Sequence, residues 1–168
     1  MQPINLRSFK TQVKKYKRSF KLFLTRIEKD PPRHLHKLVD EVDAEVWPQI
    51  DCLSCGNCCK SMTPTFTPSD IKRISSHFKM TPEQFKDKWL FYEKRDKDWQ
   101  NKKQPCQFLN LKDNKCSIYE IRPTDCAEFP HLTKKKVVDY IHIHKQNIEY
   151  CPATFKMVER MKEKMTNK

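Results

Sequence analysis

Residues 52–59 read Cys-Leu-Ser-Cys-Gly-Asn-Cys-Cys, a C-x2-C-x2-C-C string that places four thiols in one short stretch. Two x2 spacings in tandem let three sulfurs converge on a common centre, the loop geometry of ferredoxin-type clusters. Gly56, the single glycine of the chain, lies inside this loop. Glycine tolerates positive φ, so backbone amides there can turn toward sulfur and stabilise a thiolate-bound metal. Adjacent Cys58 and Cys59 do not easily face one ion, which leaves one of them for a second centre or a distant thiol. Four further cysteines follow, Cys106, Cys116, Cys126 and Cys151, with nine, nine and 24 residues between them.

Eight cysteines admit three chemistries. A secreted chain would pair them as disulfides, but the basic N-terminal segment has no signal-like apolar run, since Phe20 to Leu24 is broken by Lys21. A redox pair of Cys52 and Cys55 calls for βαβ surroundings that the sequence does not offer. Metal ligation is the reading that remains, and all-sulfur ligation suits both zinc and iron–sulfur clusters. A zinc ribbon needs a second C-x2-C knuckle, and none exists. Closely spaced thiols in one loop favour a cluster. The candidate ligands are therefore Cys52, Cys55, Cys58, Cys59, Cys106, Cys116, Cys126 and Cys151, with a four-iron, four-sulfur cluster as the expected cofactor and zinc as its alternative.

Other residues offer weaker chemistry. His142 and His144, and His131 after Phe129-Pro130, could ligate a metal, although eight thiols make ordinary roles the simpler expectation. Arg122 either offsets thiolate charge or holds an anion, or forms a buried ion pair with Asp70 or Asp125. One glycine excludes glycine-rich nucleotide loops. Neither Gly-x-Ser-x-Gly nor His-Glu-x-x-His occurs. Any activity would have to come from the metal centre.

The elements that must position these thiols are largely helical. Leu6, Phe9, Val13, Tyr16, Phe20, Phe23 and Ile27 alternate spacings of three and four, one face of a helix that Asp30-Pro31-Pro32 stops. Leu35, Leu38, Val39, Val42 and Val46 mark a second amphipathic helix ending near Trp47-Pro48. The pair is expected to pack on the following domain, with a coiled-coil dimer through the first stripe as the alternative. Thr67-Pro68-Ser69-Asp70 and Thr81-Pro82-Glu83-Gln84 each offer a capping box with proline at the first helical position. Ile71, Ile74 and Phe78, then Phe85, Trp89 and Tyr92, form their apolar faces. Residues 93–104 are charged and read as a loop. The segments around Cys106 and Cys116 read as two extended pieces joined by a turn, followed by a helical turn that Ser117 and Glu120 could cap and Pro123 ends. Residues 137–144 alternate like a half-buried strand. Pro152 starts a final helix with Phe155, Val158 and Met161 inward. The expected fold is α+β, mostly α, with a basic helical hairpin at 1–49 and a cysteine-cluster domain at 50–168.

Charge is concentrated at one end. Residues 1–40 hold eleven Lys and Arg against three acids, most of the chain's formal +13. Such a block attracts nucleic acid or an acidic protein. No apolar run approaches the ~20 residues of a membrane span, and a cytoplasmic location is the expectation.

The stretches Cys52 to Cys59, Pro105-Cys106-Gln107-Phe108-Leu109, Cys116-Ser117-Ile118-Tyr119-Glu120-Ile121-Arg122-Pro123-Thr124-Asp125-Cys126, Phe129-Pro130 and Cys151-Pro152 together resemble the C-x2-C-x2-C-C cysteine-cluster family. These are the YkgJ-like proteins, described as zinc- or iron-chelating. The family pattern places an arginine directly after the cysteine of its Arg-Pro-x-x-Cys segment, where this chain has Ala127. The basic N-terminal helices lie outside the resemblance. The family includes a domain of the flagellin lysine N-methylases, associated with an iron–sulfur centre. The resemblance thus implies a cluster here without implying methylation, because a shared scaffold does not fix chemistry. Two other functions are compatible with it: a metal-dependent modifying enzyme of the flagellin N-methylase type, and a zinc-stapled adaptor that binds nucleic acid or an acidic partner through residues 7–37.

Overall fold

A computed structural model describes residues 4–133 and 137–166. In chain order its elements are α1 (Leu6–Lys29), α2 (Leu35–Val46), α3 (Cys52–Cys55), α4 (Asn57–Ser61), β1 (Thr65–Phe66), α5 (Pro68–His77), α6 (Pro82–Trp89), β2 (Leu90–Glu93), β3 (Asp98–Asn101), α7 (Thr124–Glu128), α8 (Ile141–Asn147) and α9 (Pro152–Thr166). The fold is α+β and mostly helical. Two compact units divide the chain: a terminal unit, Met1–Cys55 with Pro130–Lys168, and a central unit, Gly56–Phe129.

The terminal unit is a helical assembly. Helix α1 buries Phe9, Val13, Phe20, Phe23, Leu24 and Ile27: of the stripe that its spacing predicts, Leu6 and Tyr16 are half-buried, and Leu24 is added. That stripe packs on α8 and α9, while α2 packs its Leu35, Val39, Val42 and Val46 on α9. Phe155 of α9 is the hub, with its ring 5.7 Å edge-on from Phe9 and 4.9 Å from Phe20. Each large apolar side chain buried this way contributes about 1.5–3 kcal/mol. Ion pairs flank the contact, Lys17 and Lys21 with Glu149 and Lys145 with Glu28. Exposed pairs of this kind add at most about 1 kcal/mol each, so the apolar stripe carries the packing. Because the chain itself covers the stripe, a coiled-coil dimer through it is not the arrangement formed.

Residues 137–144 are helical, which corrects the strand reading. A 3-10 turn, Val137–Tyr140, leads into α8. The alternation of Ile141, His142, Ile143 and His144 suggested a period of two. The buried positions are Ile141, His144 and Ile148 instead, the three-and-four spacing of a helix face, and His142 is exposed. The two histidines therefore do not share a face.

The central unit packs α5 and α6 against a three-stranded antiparallel sheet of order β1-β3-β2. Its register pairs Thr65 with Gln100 and Leu90 with Asn101. Strands β2 and β3 replace the loop expected at 93–104, and Tyr92 belongs to β2, not to the face of α6. Backbone pairing holds this ribbon although Phe91 and Tyr92 point outward at 38% and 47% exposure, so no buried alternation marks it in the sequence. Both capping boxes form: Thr67 and Thr81 accept from the amides of Asp70 and Gln84, whose side chains return to the cap amides. Thr81→Ala should cost about 1 kcal/mol, read as a shift in denaturant midpoint with unchanged slope. The core gathers Phe66, Ile71, Ile74, Phe85, Leu90, Phe108 and Ile118, and Cys106 and Cys116 pack against it.

Candidate metal centre

The C-x2-C-x2-C-C string folds as two single helical turns. Asp51 starts the first, its Oδ1 accepting from the amides of Leu53 at 3.1 Å and Ser54 at 3.2 Å. Helix α3 leaves Cys52 exposed and buries Cys55. Gly56 then takes φ +54°, and a β-carbon there would stand 3.1 Å from Cβ of Asn114. Conformation and space both hold this position to glycine. Helix α4 follows with Cys58 and Cys59, whose sulfurs are 3.9 Å apart. The unit boundary falls between Cys55 and Gly56. Cys52, Cys55 and Cys151 thus lie in the terminal unit, and Cys58, Cys59, Cys106, Cys116 and Cys126 in the central one.

In the central unit each thiol is placed by a different device. The amide of Cys106 donates to the carbonyl of Cys59 at 2.8 Å, which ties the second thiol to the loop. Leu109 and Cys116 form an isolated antiparallel bridge, and the amide of Ser117 donates to the carbonyl of Phe108 at 2.8 Å. These are the two extended pieces expected around the turn. A 3-10 turn at Tyr119–Ile121 follows, with Ile118 at its start and no side-chain cap, so Ser117 does not cap it. Cys126 rides on α7, which buried Asp70 anchors by accepting from the Thr124 amide at 3.1 Å and its hydroxyl at 3.0 Å. Asp125 accepts from the Thr65 amide at 3.0 Å.

Hydrogen bonds aim at sulfur. Asn101 Nδ2 donates to Cys106 Sγ at 3.2 Å, and Gln107 Nε2 donates to Asn101 Oδ1 at 2.9 Å and holds the amide in that orientation. The Phe108 amide donates to Cys106 and the Ile118 amide to Cys116, each two residues beyond its sulfur. Donors of this kind stabilise the thiolate over the thiol.

The thiols feel one another. Burial raises the pKa of Cys106, Cys116 and Cys126, and negative charge on neighbouring sulfurs raises each further; Asp125 adds to the effect at Cys126. Cys59 differs. A hydrogen bond from Cys58 outweighs burial, and with its own backbone amide and Lys60 it brings the thiol down to about 7. Cys59, the thiol that ionises most readily, opposes the ionisation of Cys106, Cys116 and Cys126, and a bound cation relieves that repulsion. The chemistry of this set fits an all-thiolate metal group.

Arg122 does not pair with Asp70. Its guanidinium lies 4.0 Å from the centre of the Tyr119 ring and donates to the Tyr119 carbonyl at 2.6 Å. Asp70 takes Arg73 at 2.7 Å instead. Arg122 also lowers the cost of ionising Cys116, the charge-offsetting role named as one of its options.

In the terminal unit Cys55 and Cys151 are 7% and 6% exposed. Burial, with repulsion from Cys55 added, raises the pKa of Cys151, whose sulfur accepts from the Thr154 amide at 3.5 Å. His144 is fully buried, and burial together with His131 and His142 pushes its pKa down to about 4. Among the described residues, no three His, Cys, Asp or Glu side chains are closed up as around a single ion.

A family model described as "Putative zinc- or iron-chelating domain" matches residues 51–154, a span that contains all eight cysteines. The chain belongs to this CxxCxxCC family. It is also similar to the uncharacterized protein MJ0661 of Methanocaldococcus jannaschii, with 30% identity over 81 residues, 48% of this chain. That stretch covers 43% of MJ0661, so the chain spans less than half of that relative. No solved structure matches it. No helix among the described residues is long and apolar enough to cross a membrane. The basic helix α1 lies outside the span matched to the CxxCxxCC family. Asn101 was not legible as part of the site, because no fixed spacing links it to a cysteine, and Gln107 and Asp70, both named from the sequence, were not legible in the roles they play here.

Proposed function

We propose that this CxxCxxCC protein is an iron–sulfur protein, with Cys59, Cys106, Cys116 and Cys126 holding a cluster in the central unit and the remaining cysteines completing its metal-binding capacity. The observation that carries the reading is the grouping of Cys106, Cys116 and Cys126 near enough to Cys59 to feel its charge, with Asn101 and two backbone amides aimed at sulfur. Closely spaced thiols in one loop and the all-sulfur donor set are what lean the reading toward iron, with zinc as the alternative. When bound, a cluster supplies one-electron chemistry whose potential depends on hydrogen bonds to sulfur and on exposure. Asn101 and the Phe108 and Ile118 amides supply those bonds, and Arg122 supplies compensating charge.

The test is iron and acid-labile sulfide content after anaerobic purification, with a visible spectrum. Iron with matching sulfide and thiolate-to-iron absorption is expected. Zinc without sulfide would overturn the reading. Arg122→Gln should weaken metal retention about 10-fold, the lower end for residues supporting a metal site, in a chelator competition.

A further inference from the structure

Helix α1 carries nine Lys and Arg and one acid, Glu28, which takes the Lys145 ammonium at 2.6 Å. Its two sides differ. One is the apolar stripe, covered by α8 and α9. On the other, Arg7, Lys14, Arg18 and Lys29 stand seven, four and eleven residues apart, close to two, one and three whole turns of 3.6. They therefore form one ridge opposite the stripe, with Lys10 and Arg26 flanking it, and all six are exposed. Among the described residues Glu149 pairs with Lys17 and Lys21, and no acid pairs with the six.

What such a ridge fits follows from what it lacks. Protein partners are gripped through buried aromatic or aliphatic anchors, whereas the apolar side chain that stands with this ridge is Leu22 alone, 55% exposed. A helix that lies on a membrane sinks an apolar face into it, and the apolar face of α1 is already covered. Single strands are held by stacking their bases on exposed rings, but the rings of α1 are buried or half-buried. What remains is a rod of one charge sign. It runs about 33 Å from Arg7 to Lys29 at 1.5 Å per residue, about the length of one duplex turn, ~34 Å. A duplex offers one negative charge per about 1.7 Å of its axis, so it can meet these cations along their whole length.

We propose that the outer ridge of α1 is a docking surface for a nucleic-acid duplex, held through its phosphates without reading its bases. The inference does not rest on the metal reading, since α1 lies outside the span matched to the CxxCxxCC family.

The test titrates the full-length protein into a labelled duplex of scrambled sequence, as DNA and as RNA, with fluorescence anisotropy as the readout. Each phosphate contact costs about 0.9 in log affinity per log salt, so four ridge cations predict about a 150-fold loss between about 50 and 200 mM salt. Lys14→Gln, Arg18→Gln and Lys29→Gln combined should reduce that loss to about 4-fold. Removing as many charges from the central unit, by Lys94→Gln, Lys103→Gln and Lys112→Gln, should leave the wild-type salt dependence in place. Binding of either duplex supports the inference, and the stronger arm names the source. Equal loss in the two triple variants would assign the binding to net charge and overturn the ridge. Tighter binding to a single strand of the same length, to phosphatidylserine vesicles or to polyglutamate, at equal charge concentration, would overturn it as well. Should the ridge variant not fold, wild type still decides: no duplex binding at low salt, or binding that salt does not weaken, refutes the proposal.

Discussion

Cys106→Ser should strip the central unit of its metal and unfold that unit. Cys106 sits where three supports meet: its amide bonds to the loop through Cys59, its sulfur receives Asn101 and the Phe108 amide, and its side chain packs against the aromatic core. Serine fits the space but is a poor partner for a soft metal centre. A structural metal contributes on the order of 10 kcal/mol to folding, and a whole domain is stable by only about 5–15 kcal/mol. The loss therefore exceeds what the remaining packing of Phe66, Phe85 and Phe108 can offset. Metal analysis beside fluorescence of Trp89 and Trp99, both in this unit, checks it. A variant that keeps its metal and its wild-type melting curve would refute the central claim.

The next largest effect belongs to Asp70, which touches no sulfur. Its carboxylate accepts from the Thr67 amide and hydroxyl, from Arg73, and from the Thr124 amide and hydroxyl, and it is 1% exposed. Asp70→Ala orphans these donors and frees the start of α7, which carries Cys126. A cost of about 3 kcal/mol is expected, the low end for breaking a buried charge pair, because Arg73 still reaches solvent at 38% exposure. Looser metal binding should accompany it, so denaturant titration and chelator competition should move together. Burial works to raise the pKa of this carboxyl, but Arg73, Thr67 and Thr124 outweigh it and hold the group below its ordinary value. Its contribution is therefore present above the unfolded value of about 3.9 and is lost as pH falls through the lower folded one. Asp70→Asn should flatten the acid limb of a stability profile below about pH 4 relative to wild type. An identical acid limb in the two proteins would show that the carboxylate is not held this way.

The helices with a buried three-and-four stripe and a proline-led capping box were legible, since local chemistry fixes both; α1, α5 and α6 show it. The ribbon of β2 and β3 was not, because both of its faces mix polar and apolar residues and only its pairing defines it. Helix α8 was misread because Ile-His-Ile-His satisfies a period of two as well as its first and fourth residues satisfy a helix. The eight thiols could be named from the sequence, whereas their division between two units could not. That division depends on Pro130–Lys168 folding with the N-terminal helices, a contact no spacing rule reports. The same holds for Asp70, read from sequence as a cap and found to be the anchor of α7 as well.

The terminal unit is assembled from both ends of the chain, which sets an order of events during synthesis. Helix α1 leaves the ribosome early with its apolar stripe uncovered, yet its partners α8 and α9 are encoded only after the central unit. At ~5–20 residues per second the wait is on the order of ten seconds. The central unit is complete by Phe129 and can take up its cofactor while Cys151 is still untranslated. On the proposed reading, chains truncated before Cys151 should therefore already take metal into the central unit, and they should lean on chaperones for the exposed face of α1.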